Sequence, residues 1–183
     1  MSYEVALQKG WEDLSKLNPE RILTVKLLGD EYTVDFGEKK ILSMSCNVPA
    51  KDFTVILILH YLAHKLQDLS ALTGEWMAFK ELSGIEGYYS AFRNRAIEPI
   101  IRKYGVHPEG ILSALDRLPG KKVDQGDVGI VLEAFAGVPV MITLWRGDDE
   151  FGPEVNMLFD KSITKIFCTE DIVVLAGFVA SQL

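Results

Sequence analysis

His60 and His64 stand four residues apart in Asp52–Gln67, a segment whose apolar content and length predict a helix, so both imidazoles project from one side. That spacing suits zinc. In the run from His60 to His64, however, Tyr61 occupies the place where a zinc protease carries its general-base glutamate, and the one other histidine is His107. A structural pair, hydrogen-bonded at the edge of the core, is the favoured reading. The acidic run Asp148, Asp149 and Glu150, with Asp160 ten residues on, offers oxygen ligands for a hard cation or a general acid and base. It lacks the spacing of a calcium loop, and the alternative is a solvated turn after a strand.

Trp76, Phe79, Tyr88, Tyr89, Phe92 and Trp145 form an aromatic set that, with Arg93 and Arg95, could stack a planar ligand or clamp a carboxylate. Most of these rings belong in a core. Trp76 and Trp145 are the better pocket candidates, because each lies beside glycine or charge at the end of an element. The tentative ligand-binding set is therefore Trp76, Arg93, Arg95, Trp145, Asp148 and Glu150. No catalytic residue is assigned and no metal is expected. Cys168 precedes a helix start, where a thiol pKa tends to fall, but no basic residue neighbours it in sequence. Nucleophile-elbow, Walker and dinucleotide-binding motifs are absent.

The elements that must carry these residues are legible from periodicity. Tyr3–Leu17 reads as an amphipathic helix stopped at Asn18-Pro19. Residues 22–46 shift to period two and read as three short strands with glycine in both tight turns. Asp52–Gln67 is the central apolar helix. Residues 76–82 suit a strand or an ordered loop. Tyr88–Tyr104 reads as a helix that Pro99 kinks or splits, and His107–Leu118 as a further short helix. Val128–Phe135 and Pro139–Trp145 flank a hairpin signal at Ala136-Gly137. A last helix starts near Glu170, with Thr169 as its N-cap, and is apolar on nearly every face, so it is either sunk in the core or packed on a partner chain. The expected fold is α+β over residues 1–183 as a single domain: an N-terminal antiparallel meander and a C-terminal hairpin packed with a central apolar helix and peripheral helices.

Composition narrows the partners. The chain is 48% hydrophobic and 25% charged, which suits a full core. A net charge of −7 disfavours nucleic acid, and the basic run Arg93, Arg95, Arg102 and Lys103 is broken by Glu98, as on a solvated helix face. Neither a signal peptide nor a membrane-spanning run is visible. Cys46 and Cys168 lack metal-site spacing, so a cytoplasmic protein with two free thiols is expected.

Two segments carry a resemblance. One holds Gly74, Trp76, Phe79, Glu81 and Leu82, followed by Phe92 and Arg95. The other holds Gly147, Asp148, Glu150 and Phe151, then Asn156, Leu158, Phe159 and Asp160, then Thr169, Glu170 and Asp171. Together they make the chain similar to the prokaryotic domain of unknown function 3786 family. The resemblance implies an anaerobic setting, with links to iron–sulphur domains and to one-carbon or corrinoid metabolism. With no cysteine cluster, this chain is not expected to hold an iron–sulphur cluster; its cofactors are left open. Three functional readings follow: a ligand-binding or accessory module for a small molecule, a metal-assisted hydrolase or acid–base enzyme on Asp148 and Glu150, and a homo-oligomer joined through the C-terminal helix.

Overall fold

Helix α1 (Tyr3–Ser15) buries Trp11 and Leu14, and the chain reverses at Asn18, whose φ is 51°, ahead of Pro19. The computed structural model of the chain describes residues 3–67 and 71–183. A meander follows, in which β1 (Ile22–Leu27), β2 (Asp30–Asp35), β3 (Lys40–Ser43) and β4 (Val48–Pro49) pair antiparallel in that order. The expected three strands are present; β4 is too short to show a period. The turns work differently from the glycine expectation. Left-handed backbone falls on Leu28 and Lys39, each with φ 52°, not on Gly29 or Gly37. Leu28 is held there by its buried side chain and by its N–H, which donates to the Ala134 carbonyl at 2.7 Å. Gly29 supplies room, since a Cβ there would meet the Arg117 carbonyl oxygen at 3.1 Å.

Helix α2 (Asp52–Lys65) is central, as its apolar surface demands. It packs on α1 and on the inner face of a second sheet, where the Tyr61 ring stacks on Phe135 at 4.4 Å and its hydroxyl donates to the Ala136 carbonyl at 3.0 Å. That sheet contains β5 (Trp76–Ala78), β6 (Gly120–Val123), β7 (Val128–Phe135), β8 (Val138–Trp145) and β9 (Glu154–Asp160), in the order β5-β9-β8-β7-β6, every pair antiparallel. The β7–β8 hairpin turns at Ala136-Gly137, where Gly137 has φ 78°. The fold is α+β, with the meander and the hairpin where the sequence places them.

The expected Tyr88–Tyr104 helix is split. It runs as α3 (Tyr89–Phe92), a π-helical turn over Arg93–Ile97, and α4 (Glu98–Tyr104). Pro99 has no N–H to give the Arg95 carbonyl, so the ladder widens ahead of it and the Glu98 N–H donates to Arg93. The further short helix expected over His107–Leu118 is present as a 3-10 run, Pro108–Asp116. After α5 (Ile163–Ile166) comes α6 (Thr169–Gln182). Its N-cap is Cys168, not Thr169; the Thr169 hydroxyl donates instead to the Ser83 carbonyl at 2.8 Å. Ile172, Val173, Leu175, Ala176 and Val179 are buried, so α6 is sunk largely in the chain's own core. One hydrophobic cluster gathers residues from the helices and both sheets.

Candidate functional site

Strand pairing builds a cleft on the face of the five-stranded sheet opposite α2. Successive residues of a strand alternate between faces, and paired residues share one. Ile130, Leu132, Val140 and Ile142 face the core. The alternate positions form two rows across the other face. In one, Lys121 pairs with Val131 and Val131 with Met141. In the next, Glu133 pairs with Pro139, and Asp160 with Trp76. These rows line a cleft of about 750 Å³. Its floor is apolar (Val131, Pro139, Met141 and the half-buried Trp76), and Lys121, Asp124 and Glu133 supply charge. The size lies in the range of small-molecule sites, about 300–1,000 Å³. One row further along the same face, Thr143 keeps a buried hydroxyl with no hydrogen-bond partner among the described residues.

Asp160 explains how Trp76 is held there. It is buried, and its Oδ1 accepts the Thr73 N–H at 3.0 Å, the Thr73 hydroxyl at 2.9 Å and the Ser162 N–H at 2.9 Å. Its Oδ2 accepts the Gly74 N–H at 2.8 Å. Burial works to raise this carboxyl's pKa, but the bonds from Ser162 and Thr73 outweigh it and hold the group well below the usual carboxylate range. The carboxylate thus pins the Thr73-Gly74 turn, where Gly74 has φ 73°, and the chain enters β5 at Trp76. With both oxygens occupied, Asp160 is a positioning residue rather than a metal ligand or a base.

The other candidates are dispersed. Trp145 lies on the same face as Trp76 but pairs with Glu154 at the far end of β9. Six residues of strand separate the two rows, roughly 20 Å at the usual rise. Arg93 is ion-paired with Glu98 and lines a different cleft, of about 300 Å³, with Phe79, Phe92 and Glu154. In that cleft Phe79 and Phe92 stack at 4.2 Å, so these rings form a core wall. Arg95 opens onto a third groove beside α6. Asp148 and Glu150 sit in the exposed β8–β9 connection. There the Asp148 Oδ1 accepts the N–H groups of Phe151 at 2.7 Å and Glu150 at 2.9 Å, which close the turn and hold the carboxyl below its usual range. Asp160 is at the opposite end of β9, and among the described residues no three of His, Cys, Asp and Glu are grouped to hold a metal ion.

A carboxylate joins one of the two helix histidines to α6. The Asp171 Oδ2 lies 2.8 Å from the His60 Nδ1 and 3.2 Å from the Cys168 Sγ. Sequence separation of 111 residues hid this pair; Asp171 reads in the sequence only as a helix-dipole partner. Burial pushes the Cys168 thiol up and the Asp171 charge adds to this, outweighing the backbone hydrogen bonds and correcting the expectation of a lowered thiol. His64 moves down through burial and the charge of His60. The bond to Asp171 raises the His60 pKa against the opposing effect of burial, with Asp13 and Lys9 of α1 also facing it. The raised value means the pair stabilises the fold fully below about pH 6.5 and loses that contribution as pH rises through the folded value. The half-exposed geometry limits the effect to on the order of 0.5–1 kcal/mol. Melting curves from pH 6 to pH 9 are expected to show the midpoint falling by about 2 °C in the wild type, and no matching fall in His60→Gln.

A family model described as "Domain of unknown function (DUF3786)" matches residues 14–182. No curated protein and no solved structure shows significant similarity to the chain. No helix among the described residues is long and apolar enough to cross a membrane.

Proposed function

We propose, for a chain that belongs to the DUF3786 family, that the protein is a small-molecule-binding module and that its ligand lies in the cleft floored by Trp76, Pro139 and Met141. The observation that carries this is the convergence of two cross-strand rows on one concave, apolar floor with charge of both signs around it. An indole face beside Met and Pro side chains favours a flat, largely apolar ligand, and Lys121, Asp124 and Glu133 suit polar groups at its edge. The family resemblance points to anaerobic one-carbon, corrinoid or iron–sulphur metabolism, which makes folates and corrinoids the first compounds to try. The module would serve as an accessory to such an enzyme in the cytoplasm. Its two exposed thiols, Cys46 and Cys168, suit that reducing compartment.

The hydrolase reading has less to stand on, because the Asp148 Oδ1 is engaged in its own turn. A homo-oligomer through α6 also has a narrow footing, since Val174 and Phe178 are its only large apolar residues left partly exposed. A thermal-shift screen against folates, corrinoids, nucleotides, metals and small acids tests the choice. A ligand at one hundred times its Kd stabilises the native state by about 2.7 kcal/mol. Such a shift is expected for a flat heterocycle, reduced to about a third in Trp76→Ala at the same ligand concentration. A shift given by divalent metal alone and lost in Asp148→Ala would put the hydrolase reading in its place.

A further inference from the structure

The groove beside α6, separate from the Trp76 cleft, lies between the start of α2 and the outer side of α6 and encloses about 490 Å³. Phe53, Val174 and Phe178, all partly buried, make its floor, and the two phenyl rings lie 6.5 Å apart. Two cations line it: Lys51, which precedes α2, and Arg95 from the π-helical turn. Both are exposed, and neither side chain has a hydrogen bond, ion pair or ring partner among the described residues. Some cations of the surface are matched, as where Arg93 meets Glu98, Arg146 meets Glu109 and Lys161 meets Glu75, while others, such as Lys26, Arg102 and Lys122, are exposed without a side-chain partner among the described residues. What sets Lys51 and Arg95 apart is that both line one apolar floor, in a chain of net charge −7.

The position of Arg95 is built into the backbone. Pro99 forces the π turn, and the turn packs against α6 where Gly177 leaves room. A Cβ on Gly177 would lie 3.3 Å from the Arg95 Cβ. A side chain there would crowd the Arg95 Cβ by a few tenths of an ångström.

We infer that this groove binds an amphiphilic carboxylate, its apolar tail on Phe53, Val174 and Phe178 and its headgroup at Lys51 and Arg95. The two halves of the site account for the two halves of the ligand: apolar burial holds the tail, and charge-assisted hydrogen bonds, with a guanidinium fork among the donors, fix the carboxylate.

Isothermal titration calorimetry of the whole chain with decanoate, decanol and inorganic phosphate tests this. Decanoate, kept below its micelle concentration, is expected to bind at one site. Lys51→Met and Arg95→Met are each expected to weaken it about tenfold, decanol to bind about tenfold more weakly, and phosphate to give no measurable heat. Both lysine and arginine are exposed, so the variants keep the wild-type melting curve. Trp76→Ala leaves decanoate binding unchanged, which separates this site from the cleft. No decanoate binding, wild-type affinity in either variant, or affinity for decanol equal to that for decanoate would overturn the inference. So would self-association that buries Phe178 in its place, seen by sedimentation at rising concentration.

Discussion

Asp160→Ala is expected to lower the melting midpoint by about 6–12 °C. The carboxylate accepts four hydrogen bonds from Thr73, Gly74 and Ser162 in a buried setting. Its removal strands three backbone N–H groups and a hydroxyl, a loss on the order of 3 kcal/mol. For a chain of this length each kcal/mol moves the midpoint by about 2–4 °C. Asp160→Asn keeps the shape but sets an amide N–H₂ against donors, so it recovers only part of the loss. The acid limb carries a second signature. Because the folded carboxyl is held below its ordinary value, its contribution is present above about pH 4 and is lost as pH falls towards the folded value. The wild type is expected to lose midpoint steeply in acid, and Asp160→Ala to lose less. A midpoint shift under 2 °C in Asp160→Ala would show that the Thr73-Gly74 turn does not depend on this residue.

Trp76→Ala is expected to weaken any ligand of the cleft by roughly thirtyfold, about 2 kcal/mol, because a half-buried indole on an apolar floor is the type of side chain that dominates binding energy. Trp145→Ala, on the same face but at the other end of β9, should leave affinity within a factor of two. Equilibrium titration of the two variants with a hit from the thermal screen measures both. The contrast matters because the sequence treats the two tryptophans alike.

Much of the architecture was legible because its signals are local. The length and apolar content of Asp52–Lys65 specify a buried helix, and Ala136-Gly137 between two apolar runs specifies a hairpin. The family-motif residues Gly74, Trp76 and Asp160 do meet in space, yet their sequence pattern does not say that Asp160 is the clasp and Trp76 the floor. The scattering of the arginines has a simple cause: Arg93 and Arg95 are two residues apart on a helix, and such neighbours face different ways. The cleft was not legible, because its rows exist only through strand registers, and the β5–β9 register joins residues at least eighty apart in sequence. A separation of 111 residues hides Asp171 from His60 in the same way.

The chain holds three tryptophans, Trp11 in the core, Trp76 in the cleft and Trp145 at the far end of β8, so its indole N–H signals form a built-in comparison. Proton–nitrogen NMR spectra recorded against a panel of flat heteroaromatic compounds test the cleft most directly. The Trp76 indole signal is expected to move on titration while those of Trp11 and Trp145 stay in place. A panel that moves Trp145 instead, or leaves all three signals still, would contradict it.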